Sequence, residues 1–599
     1  MENICSSKLN FLDNNEKEQN KYNKMCDLNK IFAEVKNTFK LPIFYNDLKM
    51  ELNKKTIKDL ELIEITNSSG NSVYECVIDT NNCLGKNIIE MLPTYYTTDT
   101  KFLKQTQNYL KNMDTTMYKE VEYQTTYSNM INLWDEIKND TGFLQKYSYI
   151  DFNYFKSLNN NEQFLQCLSI YSILSPLLSF LMPFFILIIP FLYIKMLGKN
   201  ITFENYKIFL YNILSQHSIG NFLFNFNTAD SGQKVYLLIS VCMYFLSIYQ
   251  NVCICTKFYK NMIKIHDYLL KIKEYIKITK YNINTFNVLT EPFGEYNTFR
   301  NVVSSKLFIL DELQSELNLI QPFEFTFLKF TQIGNILKVF HKIYDDKLYH
   351  EAFIYSFGFN GYIDVMNGIK KQLNNDNIHY TTFLSKKNNH IMKFKQMVYP
   401  PLINQKPVPL DLIIKNNIIL TGVNASGKTT VLKSVIINVI FSQQFGIGCF
   451  DELKLCPFKY LHSYLNIIDT SDRLSLFQTE CKKCKDILQL IKKDNKHSHL
   501  CIFDELFSGT NPDEAVSCGF EFLKYLTNKN VKWLLTTHFN KLCLKLKTTN
   551  NIINKKMISN ICENKIKHTY KISNGINKLK GGVEILKEMN YPTEILNNL

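Results

Sequence analysis

The rhythm of apolar and polar positions changes several times along the chain, and each change marks a segment. Residues 1–30 are polar and short of apolar anchors, as in "NNEKEQNKYNKMCD", which predicts disorder. From 31 to 160 apolar residues recur at mixed helical spacings ("KDLELIEI", "MINLWDEI"), predicting a helical N-terminal domain with short loops. A hydrophobic region, 161–256, follows. Its run "QFLQCLSIYSILSPLLSFLMPFFILIIPFLYI", residues 163–194, holds no charge, and "VYLLISVCMYFLSIYQNVCICT", residues 235–256, lies between Lys234 and Lys257. A bilayer-spanning helix needs about 20 such residues. The pair therefore predicts a transmembrane hairpin, with two fully buried core helices as the alternative. Pro176, Pro183 and Pro190 would each cost about 3 kcal/mol inside a water-exposed helix, whereas membrane helices accept proline where neighbours satisfy the freed carbonyls. A kinked or re-entrant segment is compatible with that run.

Beyond Lys257 the stretch "KFYKNMIKIHDYLLKIKEYIKITK" puts apolar residues on one side and lysines on the other, and "SSKLFILDELQSELNLI" carries an apolar stripe, so 257–397 is expected to be helical. Lys257, Lys260 and Lys264 place the C-terminal side of the hairpin in the cytosol by the positive-inside tendency, although the 195–234 connection carries lysines too. Near Val398 the pattern shifts to prolines and short β-like runs, which marks the main domain boundary.

Composition changes this picture little. At 599 residues the chain exceeds one hydrophobic core, so three or more domains are expected. The formal charge of +14 is almost wholly lysine, the arginines being Arg300 and Arg473. A polyanion or an anionic membrane surface would suit it, and so would AT-rich codon usage. Sixteen cysteines follow no regular framework and residues 1–30 contain no cleavable signal peptide, which suggests an intracellular, reducing setting. Cys481 and Cys484 form a lone C-x-x-C without a second pair and are read as incidental thiols on a helix.

The chemistry gathers after residue 400. "NIIL" precedes Gly422-Val-Asn-Ala-Ser-Gly427-Lys428-Thr429, which fits G-x-x-x-x-G-K-[ST], and "VLKSVIINVIF" continues it as a helix. In such a loop backbone N–H groups close around phosphate oxygens, Lys428 reaches the β- and γ-phosphates and Thr429 holds Mg²⁺. Further on, "SHLCIFDELFSGTNPDEA" ends a strand in two adjacent carboxylates. Asp504 is expected to hold the metal and Glu505 to polarise the attacking water. "VKWLLTTHF" is a strand ending at His538, placed to sense the γ-phosphate.

These residues resemble the MutS family of mismatch-repair ATPases, within the wider ABC-type nucleotide-binding class. Thr421 to Thr430, T-G-V-N-A-S-G-K-T-T, matches the family's T-G-x-N-x-x-G-K-[ST]-T, which adds Asn424 and Thr430 to the nucleotide-binding set. Asp504-Glu505-Leu506-Phe507-Ser508-Gly509-Thr510 matches D-E-[IL]-x-x-G-T, and Thr537-His538-Phe539 matches T-H-[YF]. Ser475, Phe477 and Glu480 in "SDRLSLFQTE" resemble the signature S-x-F-x-x-E, whose serine faces the nucleotide of the opposite subunit. "KLKGGVEILKEMNYPTEIL", residues 578–596, resembles the helix-turn-helix by which members pair, and "VYPPLINQKPVPLDL" the segment joining lever helices to the ATPase.

The resemblance implies a multidomain fold: mostly α-helical N-terminal and lever regions (lever at 257–397), then an α/β P-loop ATPase domain at 398–575 and a pairing segment at 576–599. It also implies ATP with Mg²⁺, a homodimer with composite sites, and double-stranded DNA, mismatched or not, as partner in repair. Phe32-Ala33-Glu34 has only the bare F-x-E spacing of the family's mismatch wedge, and the signature lacks the glycine that commonly precedes its serine. The alternative is a membrane-anchored relative whose nucleotide cycle serves a membrane-associated task without mismatch recognition.

Overall fold

The computed structural model describes residues 29–65, 70–119, 125–196, 198, 202–320, 331–385, 391–465, 475–562 and 565–579, with positions 586, 589 and 591. Of the disorder expected at 1–30, positions 1–28 lie outside the described residues, as do 466–474 ahead of Ser475 and most of the pairing segment, whereas Asn29 and Lys30 already begin a helix. The chain divides into two units. One gathers Asn129–Lys277 and Phe308–Ala352; the other takes Ile278–Leu307, Phe353 onward and the described residues up to Ser128.

The first unit is helical. Helix α1 spans Glu162–Met196 and helix α2 spans Ser231–Thr290, whose last residues belong to the other unit. Both apolar runs stand largely exposed within this chain. Within Glu162–Met182 of α1 the apolar window is 17% buried, and in α2 it is 6% buried. By length and composition both helices could cross a bilayer. Nor does proline break α1, which continues through positions 176, 183 and 190. The buried core of this unit lies elsewhere. Trp134, Phe143, Tyr149 and Phe340 are almost wholly buried, Phe143 stacks on Tyr344 at 3.9 Å, and the Tyr149 hydroxyl donates to the Leu337 carbonyl at 2.7 Å. Helix α3 (Ile333–Asp345) meets the first turns of α1 so closely that a Cβ on Gly334 would stand 2.4 Å from the Glu162 carbonyl oxygen.

The second unit is built on a six-stranded sheet. Its strands are β1 (Asn417–Thr421), β2 (Tyr460–Tyr464), β3 (His499–Asp504), β4 (Val531–Thr536), β5 (Ile552–Cys562) and β6 (Lys565–Asn574), in the order β6-β5-β1-β4-β3-β2. All neighbours are parallel except the β5–β6 hairpin. β1 and β3 are buried along almost their whole length, as parallel strands covered on both faces must be. A smaller five-stranded sheet is formed from 379–383, 392–397, 410–414, 447–448 and 452–455. Helix α4 (Lys428–Phe445) follows β1 and is buried on nearly every side. Helices α5 (Leu476–Lys493) and α6 (Pro512–Thr527) pack on the sheet, Cys484, Ile487, Leu523 and Leu526 joining Trp533 and Leu535 in one core.

A helix buried all round normally carries apolar residues, yet α4 ends in Ser442-Gln443-Gln444. Each finds partners. Gln443 donates to the carbonyls of Thr97 (3.2 Å) and Phe458 (2.8 Å) and accepts from the Phe458 N–H (2.9 Å). Gln444 donates to Leu92 (2.8 Å) and Tyr95 (3.0 Å) and accepts from the Tyr74 hydroxyl (2.5 Å). Buried amides satisfied in this way fix α4 against residues 74–97, and through its first turn fix the loop that precedes it.

Candidate functional site

β1 stops at Thr421 and α4 starts at Lys428, so residues 422–427 form a tight loop at the carboxyl edge of a parallel sheet, where open α/β sheets bind ligands. The turn needs left-handed backbone at Ala425 (φ 59°) and Gly427 (φ 92°). Gly427 supplies it without strain, and a Cβ there would meet Tyr570 at 3.3 Å. At Gly422 a Cβ would stand 2.7 Å from the Ser426 hydroxyl, which itself donates to the Val423 carbonyl at 2.7 Å. Both glycines are thus dictated by the loop's own packing.

Lys428 is buried and folds back over the loop, its Nζ donating to the carbonyls of Gly422 (3.0 Å) and Val423 (3.1 Å). Burial lowers its pKa, partly offset by Glu505 and Asp504. Thr429 Oγ1 donates to Asp504 Oδ2 at 2.8 Å, and the Thr536 hydroxyl at the end of β4 donates to the other carboxylate oxygen. Three strands are thereby tied at one point: β1 through the loop, β3 through Asp504 and β4 through Thr536.

Glu505 lies one residue past β3 in left-handed backbone (φ 51°), its N–H donating to the Thr536 carbonyl at 3.0 Å. That conformation turns its side chain into the cavity. His538, two residues past β4, meets it with Nε2 2.7 Å from Glu505 Oε1. The hydrogen bond from His538 holds the Glu505 carboxyl below the usual carboxylate range; desolvation opposes this, and the charges of His538 and Lys428 assist it.

The open cavity over the loop measures about 770 Å³. Asn424, Gly427, Lys428, Thr429, Thr430 and Glu505 line it. Sequence reasoning did not name the residues on its far side: Tyr399, Pro407 and Val408 before β1, and Met557 and Tyr570 on the β5–β6 hairpin. The sequence signals for the first three were the proline-rich composition at 398–410 and the resemblance of "VYPPLINQKPVPLDL" to the joining segment; nothing marks Met557 or Tyr570 in advance.

Ser475 is placed apart. It is the exposed N-cap of α5, accepting from the Gln478 N–H in a reciprocal capping box, and it does not line the cavity of its own chain. Glu480, one turn on, is 1% exposed. Its carboxylate accepts from the Ser508 N–H (3.1 Å), the Ser508 hydroxyl (3.0 Å) and the Gly509 N–H (3.2 Å). A Cβ on Gly509 would stand 2.8 Å from Leu476 Cγ and 3.0 Å from the Phe477 nitrogen. The start of α5 and the loop that carries Glu505 are therefore one packed piece, closed by Phe477 against Phe507.

Comparison with known proteins meets this geometry over the same residues. The family described as MutS domain V matches residues 418–599. The chain is 28% identical over 215 residues to the endonuclease MutS2 of Bacillus cytotoxicus, covering 35% of this chain and 27% of that protein. It is 30% identical over 203 residues to MutS protein homolog 4 of Mus musculus, covering 32% and 21% respectively. The MutS2 of Bacillus mycoides is 28% identical over 214 residues, covering 35% of this chain. The match spans about a quarter of the length of these relatives. A glycine-bounded loop, a carboxylate pair and a buried signature glutamate all fall inside the residues that match, so 418–599 is the part of this chain that is similar to MutS domain V.

Proposed function

We propose that the chain is an ATP-hydrolysing P-loop protein of the ABC type that works as a homodimer on double-stranded DNA inside the cell. Its ATPase domain occupies 398–575, its pairing segment 576–599 and its helical lever 257–397. The observation that carries the reading is the tie between Thr429 and Asp504 at 2.8 Å beneath a loop with two left-handed residues. A hydroxyl and a carboxylate are hard oxygen donors suited to Mg²⁺, and the buried, cationic Lys428 offers the adjacent position to phosphate. Bound there, Mg²⁺ with ATP would neutralise charge between the β- and γ-phosphates.

Gly422, Asn424, Gly427 and Thr430 shape the cradle, Glu505 accepts the proton of the attacking water, and His538 fixes the orientation of Glu505. Ser475, turned out at the head of α5, reaches the nucleotide held by a second copy. A mixing experiment tests this. Lys428→Ala and Ser475→Ala chains are each expected to be inactive alone, and equimolar mixing is expected to restore turnover at one site of each mixed dimer. No recovery on mixing, or full activity in Ser475→Ala, would overturn the composite site. Duplex binding is expected to weaken steeply from low to physiological salt, and absence of binding at low salt removes DNA from the proposal. The exposed apolar helices α1 and α2 favour a second reading, a membrane-anchored ATPase without mismatch recognition.

A further inference from the structure

The two apolar helices are packed inside out relative to a water-soluble pair. Large side chains on both point away from protein: Phe180, Phe184, Leu192, Ile239, Met243 and Phe245 are each more than half exposed. Several polar groups of the same runs face one another. Asn251 Nδ2 donates to Ser179 Oγ at 2.7 Å, the Tyr244 hydroxyl donates to the Ser179 carbonyl at 3.0 Å, and Cys255 Sγ lies 3.7 Å from the Ile173 carbonyl. Position 173 meets 255, and 179 meets 251 and 244, so the helices run antiparallel.

The prolines explain why the seam sits where it does. Proline at position i leaves the carbonyl at i−4 without its helical donor. Pro183 frees the Ser179 carbonyl, and Tyr244 of the other helix takes it. Pro176 frees the Ser172 carbonyl, and the Ser175 hydroxyl lies 3.3 Å from it. Water could satisfy such groups on an ordinary surface; hydrocarbon cannot, so neighbouring helices and serines must.

Burial changes at one level in both helices. Leu165 and Ser169, early in α1, are 1% exposed, and Gln166 accepts from the Gly334 N–H at 2.8 Å. In α2, Phe258, Met262, Ile265 and Leu269 are buried again. Beyond that level, where Ser175, Ile194 and Leu237 are among the buried exceptions, 171–194 and 235–256 each measure roughly 33–36 Å at 1.5 Å per residue, enough to cross a bilayer core of about 30 Å. Lys195, Lys234 and Lys257 bound them in the sequence.

We propose that 171–194 and 235–256 form a transmembrane helical hairpin, held by the Ser179–Tyr244–Asn251 seam, with their outer apolar faces against phospholipid acyl chains. The full chain, synthesised with vesicles of phosphatidylcholine and phosphatidylglycerol, is expected to float with them in a density gradient and to stay after alkaline carbonate washing. An impermeant maleimide, read peptide by peptide, should modify exposed Cys518 at least about tenfold faster than Cys242 and Cys253, which face lipid, until SDS removes the bilayer. Ile173→Cys, treated in those vesicles with copper(II) phenanthroline and oxygen as the oxidant, is expected to form an intramolecular disulfide with Cys255. Three results overturn the proposal: carbonate release, labelling of Cys242 as fast as Cys518, or a soluble oligomer that covers the helices without lipid. Failure of the disulfide, with flotation intact, overturns the seam.

Discussion

Glu480 touches no residue of the cavity, yet the geometry makes it decisive for turnover. Its carboxylate, 1% exposed, is the acceptor for three donors of the loop that follows Glu505. In Glu480→Ala the Ser508 hydroxyl can rotate to another acceptor, but the two backbone N–H groups cannot. Each unsatisfied buried donor costs about 1–3 kcal/mol, so the lower half of that range gives a destabilisation of about 3 kcal/mol. The loop then relaxes, and Glu505, held in left-handed backbone three residues before Ser508, moves with it. A displacement of about 1 Å at a reacting group can cost about 100-fold in rate. Lys428 and Thr429 stand on α4 and keep their places, so KM for ATP should change less than about threefold while kcat falls about 100-fold. Glu480→Gln retains one amide oxygen as acceptor, and its loss of stability should be nearer 1 kcal/mol, with partial recovery of kcat. Denaturant titration and steady-state ATP hydrolysis on the three proteins decide the matter. A Glu480→Ala chain with unchanged kcat, or one whose whole defect appears in KM, would refute a positioning role.

Four further outcomes follow from single contacts. Lys428→Met is expected to reduce turnover below about 1% while leaving Tm unchanged or raised, because burial disfavours the lysine charge in the nucleotide-free fold; a lowered Tm contradicts this. Gly509→Ala forces a Cβ to within 3.0 Å of the Phe477 nitrogen and should cost about 1–3 kcal/mol in denaturant unfolding. Tyr74→Phe leaves the Gln444 side-chain oxygen without the hydroxyl that reaches it at 2.5 Å, for a loss of about 1–3 kcal/mol in the same assay, and a loss under about 0.5 kcal/mol would mean that α4 is not anchored there. Glu505 has a lowered pKa, so its ionised form stabilises the fold above the ordinary carboxylate range and that contribution is lost as pH falls through the lowered value. The acid limb of the kcat profile should accordingly lie below the ordinary glutamate range and rise in His538→Ala; an unmoved limb means that the 2.7 Å contact does not set it.

What could be read in advance was whatever is local in sequence. A strand, a six-residue loop and a helix follow one another from 417 to 445, so periodicity and two glycines predict the cradle in place. Asp504 and Glu505 close a buried strand and are equally local. Glu480 was visible only as a letter of a motif, because its three donors lie 28 and 29 residues away and no pattern announces them. The polar end of α4 was less legible still. Gln443 and Gln444 look like surface residues until Thr97, Leu92 and Tyr95, about 350 positions earlier, are brought against them. The β5–β6 hairpin that brings Met557 and Tyr570 over the loop is lysine-rich, so its strands carried no clean alternation.

The same physical rule accounts for the two halves of the chain reaching opposite solutions. Backbone and amide groups out of reach of water must be paired whatever surrounds them. Around α4 what surrounds them is protein, so glutamines turn inward to distant carbonyls and apolar side chains fill the remaining space. Along α1 and α2 what surrounds them on the proposed reading is hydrocarbon, so Ser179, Tyr244 and Asn251 turn toward the partner helix while phenylalanines and leucines face out. A soluble chain under the same sequence would have to bury those outer faces against protein. The Tyr244–Ser179 contact is therefore what any dry environment demands of a proline-freed carbonyl, and it is the outward phenylalanines and leucines that favour hydrocarbon over protein as that environment.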